Sequence, residues 1–343
     1  MSPQESVPER FDGQPELGEE DRTLVEGVLA RQLRPLAKAI TLIESSRPDH
    51  QRRAEAVLQA LLPHTGGALR LGISGVPGVG KSTFIEALGL YLIERGHRVA
   101  VLAVDPSSSL SGGSILGDKT RMERLSRDPR AFIRPSPSAG SLGGVAEKTR
   151  ETMLVCEAAG FDVVIVETVG VGQSETAVAN MTDMFVLLQL PNAGDDLQGI
   201  KKGIMELADL IVINKADADP AAAMRAKAQL ETALHMLRPA HPDWRVPVLL
   251  VSALKREGLD RFWETVLAFR DTLQQNGALA EKRRRQALAW MWERIDAELK
   301  RRFRQHPAVR TMLPAIERDV ESGRLAPVVA ARRLLDASQT ISQ

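Results

Sequence analysis

Residues 75–82 read Gly-Val-Pro-Gly-Val-Gly-Lys-Ser, a set of types and spacings able to hold a chain of phosphates. Gly75, Gly78 and Gly80 let the backbone bend and aim N–H groups at an anion. A helix beginning near Lys81 adds its positive N-terminal end. The Lys81 ammonium can reach the β- and γ-phosphates, and the Ser82 hydroxyl can ligate Mg²⁺. Val76, Pro77, Val79 and Thr83 complete the stretch expected to line a nucleotide.

Four other segments narrow the nucleotide to one base. Asn214, Lys215 and Asp217 follow the apolar run 209–213, about 130 residues after the glycine-rich loop. A carboxylate at Asp217 can accept from N1–H and the 2-amino group of guanine. Adenine has neither donor, so it would leave the carboxylate unpaired. Ser252, Ala253 and Leu254 follow the last apolar run, where a backbone N–H can meet the guanine O6. Glu167, at the end of a strand beside the loop, can hold Mg²⁺ through water, and Gly170 can place an N–H on the γ-phosphate. Glutamate here stands where a simple Ras-like pattern has aspartate. Gln173 is either a water-orienting group or a surface amide. Residues 105–122 are polar and rich in Gly and Ser, and both Asp105 and Asp118 can approach the metal. As the bland alternative, Asp105 caps the next turn and Asp118 is a loop residue. No arginine finger stands out, Arg121 and Arg124 being the nearest candidates.

The elements that must position these residues follow a simple rhythm. Apolar runs at 69–74, 97–105, 161–167, 183–190, 209–214 and 246–253 read as strands. Helical spacing at 81–95, 144–159, 199–207, 219–237 and 258–275 lies between them. This predicts a doubly wound, mostly parallel α/β domain over 66–275. Residues 1–20 read as a disordered tail. Residues 21–65 read as N-terminal helices, one over 21–45 and one over 51–62. After 276 the strands stop, and 280–304, 308–322 and 326–338 read as helices, with Pro314 and Pro327 near helix starts.

Composition adds exclusions. The 343 residues carry 45 Lys+Arg and 44 Asp+Glu, a net charge of +1, so neither nucleic acid nor an anionic membrane is an expected partner. The run 282–285 (Lys-Arg-Arg-Arg) has Glu281, Glu293, Asp296 and Glu298 close by and reads as a solvated helix face. Cys156, the single cysteine, permits no intrachain disulfide and reads as a core residue. No apolar run suffices to span a bilayer, the N-terminus has no secretory pattern, and a cytoplasmic setting is expected.

The glycine-rich loop, Ala-Val-Asp-Pro-Ser-Ser (103–108), Gly-Asp-Lys-Thr-Arg-Met (117–122), residues 167–175, Asn-Lys-Ala-Asp and Val-Ser-Ala-Leu occur in one order and spacing. Together they resemble the MeaB/ArgK family of P-loop G proteins, relatives of the human methylmalonic aciduria type A protein. The resemblance implies slow hydrolysis of GTP with Mg²⁺. It implies a chaperone that gates cofactor loading and protects or reactivates adenosylcobalamin-dependent methylmalonyl-CoA mutase. It implies a homodimer joined by the C-terminal helices. It also implies that Lys81 contacts phosphate, that Ser82, Asp105, Asp118 and Glu167 form the Mg²⁺ shell, and that Asn214, Lys215 and Asp217 read guanine. Residues 191–203 then look like an extra switch, with Asp195, Gln198 and Lys201 coupling nucleotide state to the mutase. An older naming of the family suggests a kinase linked to basic amino-acid transport, and its wider group suggests a metal-insertion GTPase. The sequence offers no kinase catalytic loop and no His- or Cys-rich metal tract.

Overall fold

The computed structural model describes residues 17–104, 122–135, 142–168, 174–191, 202–237 and 241–339. The chain divides after Lys282 into two compact units.

The first unit is built on a seven-stranded, all-parallel sheet in the order β3-β2-β4-β1-β5-β6-β7. The strands are β1 (Leu69–Gly75), β2 (Val99–Val104), β3 (Ala131–Arg134), β4 (Val163–Thr168), β5 (Met184–Gln189), β6 (Leu210–Ile213) and β7 (Val248–Leu250). Nearly every strand residue is buried, because helices cover both faces. Alternation along β5 sorts the two layers. Met184, Val186 and Leu188 join Phe84, Leu88 and Leu92 of α4 (Lys81–Glu94) and Phe262, Val266 and Phe269 of α10 (Leu259–Gln275). Phe185 instead joins Val155 and Cys156 of α6 (Leu142–Ala158) and Val178 of α7 (Ser174–Ala179). Leu187 joins Met205 of α8 (Lys202–Leu207) and Ala223 and Leu230 of α9 (Pro220–His235). The doubly wound parallel fold expected from the sequence is therefore present. Cys156 is fully buried there, and burial pushes its thiol pKa far up.

The structure corrects three local expectations. First, β3 has no counterpart among the strands read from the sequence. Its four residues lie between Asp-Pro-Arg (128–130) and Pro135, too short for a periodic signal, and it exists because β2 offers it a pairing edge. A short helix, α5 (Glu123–Ser126), precedes it. Second, the periodicity over 21–45 folds as two helices, α1 (Glu19–Leu29) and α2 (Leu33–Glu44). Arg31 breaks the run with a left-handed φ of 61°, and Pro35 in the first turn of α2 needs no helical N–H partner. With α3 (Pro48–Leu61), these helices bury Val28, Leu36, Ile40, Ile43, Val57 and Leu61 in the same core as α6. Third, Pro314 is not near a helix start.

Pro314 belongs to the second unit. The helices of that unit are the part of α11 (Ala278–Gln305) beyond Lys282, α12 (Pro307–Glu321) and α13 (Pro327–Gln339). Pro307 takes the first-turn position, and Pro314 sits inside α12. Burial of Val309 and Ile316 against Ala330 and Leu334 of α13 offsets the backbone bond that Pro314 removes. Along α11, Leu288, Met291, Trp292, Ile295 and Leu299 recur at helical spacing and are all exposed.

Candidate active site

In open parallel sheets, ligands bind beyond the carboxyl ends of the strands. The expected site residues that the structure describes all lie there. β1 ends at Gly75 and α4 begins at Lys81, so the intervening loop leads directly into the N-terminal end of a helix. Gly80 caps that helix at φ 90°, and an added Cβ would lie 2.9 Å from Asn214 Nδ2. Only glycine both takes this backbone and leaves room for the base-reading segment to close on the loop.

Lys81 is 9% exposed and its Nζ donates to Gly75 O at 2.6 Å and to Val76 O at 3.3 Å. The ammonium is thus folded over the loop that would hold the phosphates. Ser82 follows it, and its Oγ donates to Glu167 Oε1 at 3.4 Å. Glu167 is held on β4 between Ile73 of β1 and Ala103 of β2. Next to it, Thr168 Oγ1 donates to Ser74 Oγ at 2.8 Å, locking the ends of β4 and β1 together. Sequence reasoning misses Ser74 and Thr168 as parts of the site. Their only signal is a polar residue ending each of two apolar runs.

A hydroxyl and a carboxylate oxygen 3.4 Å apart suit a hard divalent cation with bonds of about 2.1 Å to each. The donor set therefore fits Mg²⁺. Asp105 and Asp118, expected to complete it, lie outside the described residues, as do Gly170, Gln173, Asp195, Gln198, Lys201 and Arg121. Among the described residues no group of three or more His, Cys, Asp or Glu gathers around a metal position. Arg124 is described, and its backbone N–H donates to Glu86 on α4 at 2.8 Å.

On the base side, the structure divides the labour within Asn-Lys-Ala-Asp. Asn214 is buried at the end of β6. Its Nδ2 donates to Val79 O at 2.9 Å, and its Oδ1 accepts from Ala253 N at 3.2 Å. One side chain thus joins three segments: the phosphate loop, β6 and the Ser-Ala-Leu turn. Lys215, at φ 59°, sends its Nζ to Gly78 O at 2.9 Å. Asp217 points elsewhere. The Ser252 hydroxyl lies beside it, and Lys255 Nζ is 3.6 Å from its Oδ2. The Ser252 hydrogen bond, chiefly, and the Lys255 charge hold its carboxyl below the usual carboxylate range. Lys255 N in turn donates to Ser252 Oγ at 3.2 Å, which orients the hydroxyl. The sequence singles out Ser252 but not Lys255.

A glycine-rich loop, a hydroxyl–carboxylate pair and the Asn-Lys-Ala-Asp segment thus gather at one sheet edge. The family model described as methylmalonyl Co-A mutase-associated GTPase MeaB matches residues 36–308. The chain belongs to the MeaB family of P-loop GTPases. A protein of Caulobacter vibrioides named as a GTPase is 60% identical over 302 residues, spanning 88% of this chain and 93% of that one. The mouse methylmalonic aciduria type A homolog, a mitochondrial protein, is 49% identical over 325 residues, 92% of this chain and 78% of its own length. A crystal structure of a LAO/AO transport system kinase superposes with a TM-score of 0.75 at 40% identity, covering 95% of this chain and all of the other. This MeaB-family chain is accordingly a GTPase, converting GTP and water to GDP and phosphate. Among its described residues no helix is long and apolar enough to cross a membrane.

Proposed function

We propose that this MeaB-family GTPase is a chaperone for adenosylcobalamin-dependent methylmalonyl-CoA mutase, using GTP hydrolysis to gate cofactor loading and to protect or reactivate the enzyme. The family's mutase association supports the partner. The observation that carries the nucleotide chemistry is the Ser82–Glu167 pair at the phosphate loop, joined through Asn214 to the base site.

In this reading residues 75–83 cradle the phosphates, and Lys81 leaves the Gly75 and Val76 carbonyls for the β- and γ-phosphate oxygens. Asp217 accepts from the guanine edge. The Ala253 amide is engaged by Asn214, so the Leu254 amide, which has no acceptor among the described residues, meets the base oxygen. Ser82 and Glu167, with Asp105 and Asp118, hold Mg²⁺. When bound, the ion draws charge from the β- and γ-phosphates. Lys81 and the loop amides neutralise charge on the transferring group, and Gly170 adds an amide to it. With no arginine finger standing out in the sequence, intrinsic turnover is slow. The mutase raises it, with Asp195, Gln198 and Lys201 as the coupling residues. The exposed apolar stripe on α11 supports a homodimer through the C-terminal helices, and the expected setting is cytoplasmic.

Single-turnover GTP hydrolysis with and without saturating mutase tests this reading. A several-fold acceleration is expected, and an unchanged rate overturns it. The similar crystal structure, that of a transport system kinase, raises phosphoryl transfer as a second reading. Hydrolysis of γ-labelled GTP separates the two, since free phosphate follows from a GTPase and a labelled protein or amine from a kinase.

A further inference from the structure

Among the described residues three non-glycines adopt a left-handed backbone: Arg31 (φ 61°), Lys215 (φ 59°) and Arg256 (φ 60°). Such conformations cost free energy and persist where the surroundings over-determine them. Lys215 and Arg256 border the base-reading turns. Arg31 has no part in the nucleotide site.

Arg31 lies in the turn between α1 and α2, against Gly160. An added Cβ on Gly160 (φ 78°) would be 2.8 Å from Arg31 Nε and 3.2 Å from its Cζ. The next two residues engage a second arginine. Arg98 Cζ is 4.9 Å from the centre of the Phe161 ring, and Arg98 N donates to Asp162 Oδ1 at 2.7 Å. Two guanidinium groups therefore flank the consecutive residues Gly160 and Phe161.

Neither group has an anionic partner within ion-pair distance among the described residues. Asp162, the nearby carboxylate, gives Oδ1 to the Arg98 backbone and Oδ2 to His97 Nδ1 at 2.7 Å. The Nε of Arg98 is buried and has no hydrogen-bond partner. Burial, first, and the neighbouring Arg31 charge lower the Arg98 pKa, and Asp162 reverses this only in part. A buried orphan N–H beside a second like charge is the arrangement a bound anion would explain. The two guanidinium groups, only partly offset by Asp162, suit the several acceptor oxygens of a phosphate better than a single carboxylate. Arg98 immediately precedes β2 and Asp162 immediately precedes β4, whereas the phosphate loop follows β1. The strands are parallel, so this feature lies at the sheet edge opposite the nucleotide, about 20 Å away along the strand direction.

We propose that Arg31 and Arg98 form a second anion site, taking a phosphate or phosphomonoester dianion and bridging the α1–α2 turn to the α6–β4 turn. It is independent of the mutase reading.

The full chain, saturated with GDP and Mg²⁺ to fill the nucleotide site, is titrated calorimetrically with inorganic phosphate, with ribose 5-phosphate and with acetate. Saturable phosphate binding is expected, weakened about tenfold or more by Arg98→Met and by Arg31→Gly. Arg95→Gln is expected to leave it unchanged, since Arg95 stacks 3.4 Å over Tyr91 outside the pair. Arg31→Gly also relieves the left-handed backbone, so it is expected to raise the melting temperature without phosphate while losing phosphate-induced stabilisation. This keeps the test sound if Arg98→Met folds poorly. Tighter binding of the ester points to a phosphorylated metabolite, and equal or weaker binding to free phosphate; both support the site. No saturable phosphate binding, full binding in Arg31→Gly, or acetate binding as tightly as phosphate overturns the proposal.

Discussion

The two ends of the nucleotide site are built differently. At the base end, polar groups are satisfied by the protein itself: Asn214 bridges Val79 and Ala253, Lys215 reaches Gly78, and Ser252 and Lys255 hold Asp217. At the phosphate end, the Lys81 ammonium rests on the loop's own carbonyls, and Ser82 and Glu167 meet at 3.4 Å, longer than a good hydroxyl–carboxylate bond. The base end is preorganised before any ligand arrives. At the phosphate end the contacts run to the loop's own backbone and across one long hydroxyl–carboxylate pair. Such a division suits a switch, in which guanine anchors the ligand and the γ-phosphate decides the state.

Substitutions can break this comparison, and the largest effect belongs to the phosphate end. Lys81→Ala is expected to slow single-turnover hydrolysis by roughly 10³-fold, as for loss of a preorganised transition-state donor. A rate within tenfold of wild type would remove Lys81 from the machinery. At the base end, Asn214→Ala leaves the Val79 carbonyl and the Ala253 N–H without their partner. It is expected to cost about 2–4 kcal/mol in urea unfolding even without nucleotide. A loss seen only with GDP bound would mean that this end is not preorganised.

Asp217→Asn is expected to lower GDP affinity by about 10²-fold and to shift preference toward XDP, whose carbonyl replaces the 2-amino donor. Its stability without ligand should change little. Glu167→Gln is expected to raise the Mg²⁺ requirement for hydrolysis about tenfold while GDP binding without metal stays unaltered.

The smallest effect concerns pH. The Asp217 pKa is lowered, so its contribution is present above that value and is lost only as pH falls through it. The ratio of wild-type to Asp217→Asn affinity for GDP should therefore be flat from about pH 8 down to about pH 5. A decline across this interval would mean that Ser252 and Lys255 do not hold the carboxylate ionised.

Much of the fold is legible in the sequence because its signals are local. Apolar runs broken by Gly-rich and polar turns mark six of the seven strands, and residue types alone place the glycine-rich loop between β1 and α4. β3 escapes because Ala131–Arg134 has no pattern of its own and owes its state to β2. The break at Arg31 escapes because the apolar spacing of α1 and α2 runs on in phase across it. Pro314 is misassigned because its place depends on what α12 buries against α13.

The site divides along the same line. Residue types and chain order determined that a phosphate loop, a metal-binding carboxylate and a guanine motif occur together, because each chemistry demands a short contiguous set of groups. Only the tertiary structure decided which side chains of Asn-Lys-Ala-Asp turn inward to the loop and which one turns to Ser252 and Lys255. It also decided that Lys255 sits on Asp217 and that Arg31 and Arg98, 67 positions apart, share one turn. Those outcomes depend on which surfaces packing brings within a few ångströms of each other, and contacts of that range have no signature in sequence separation.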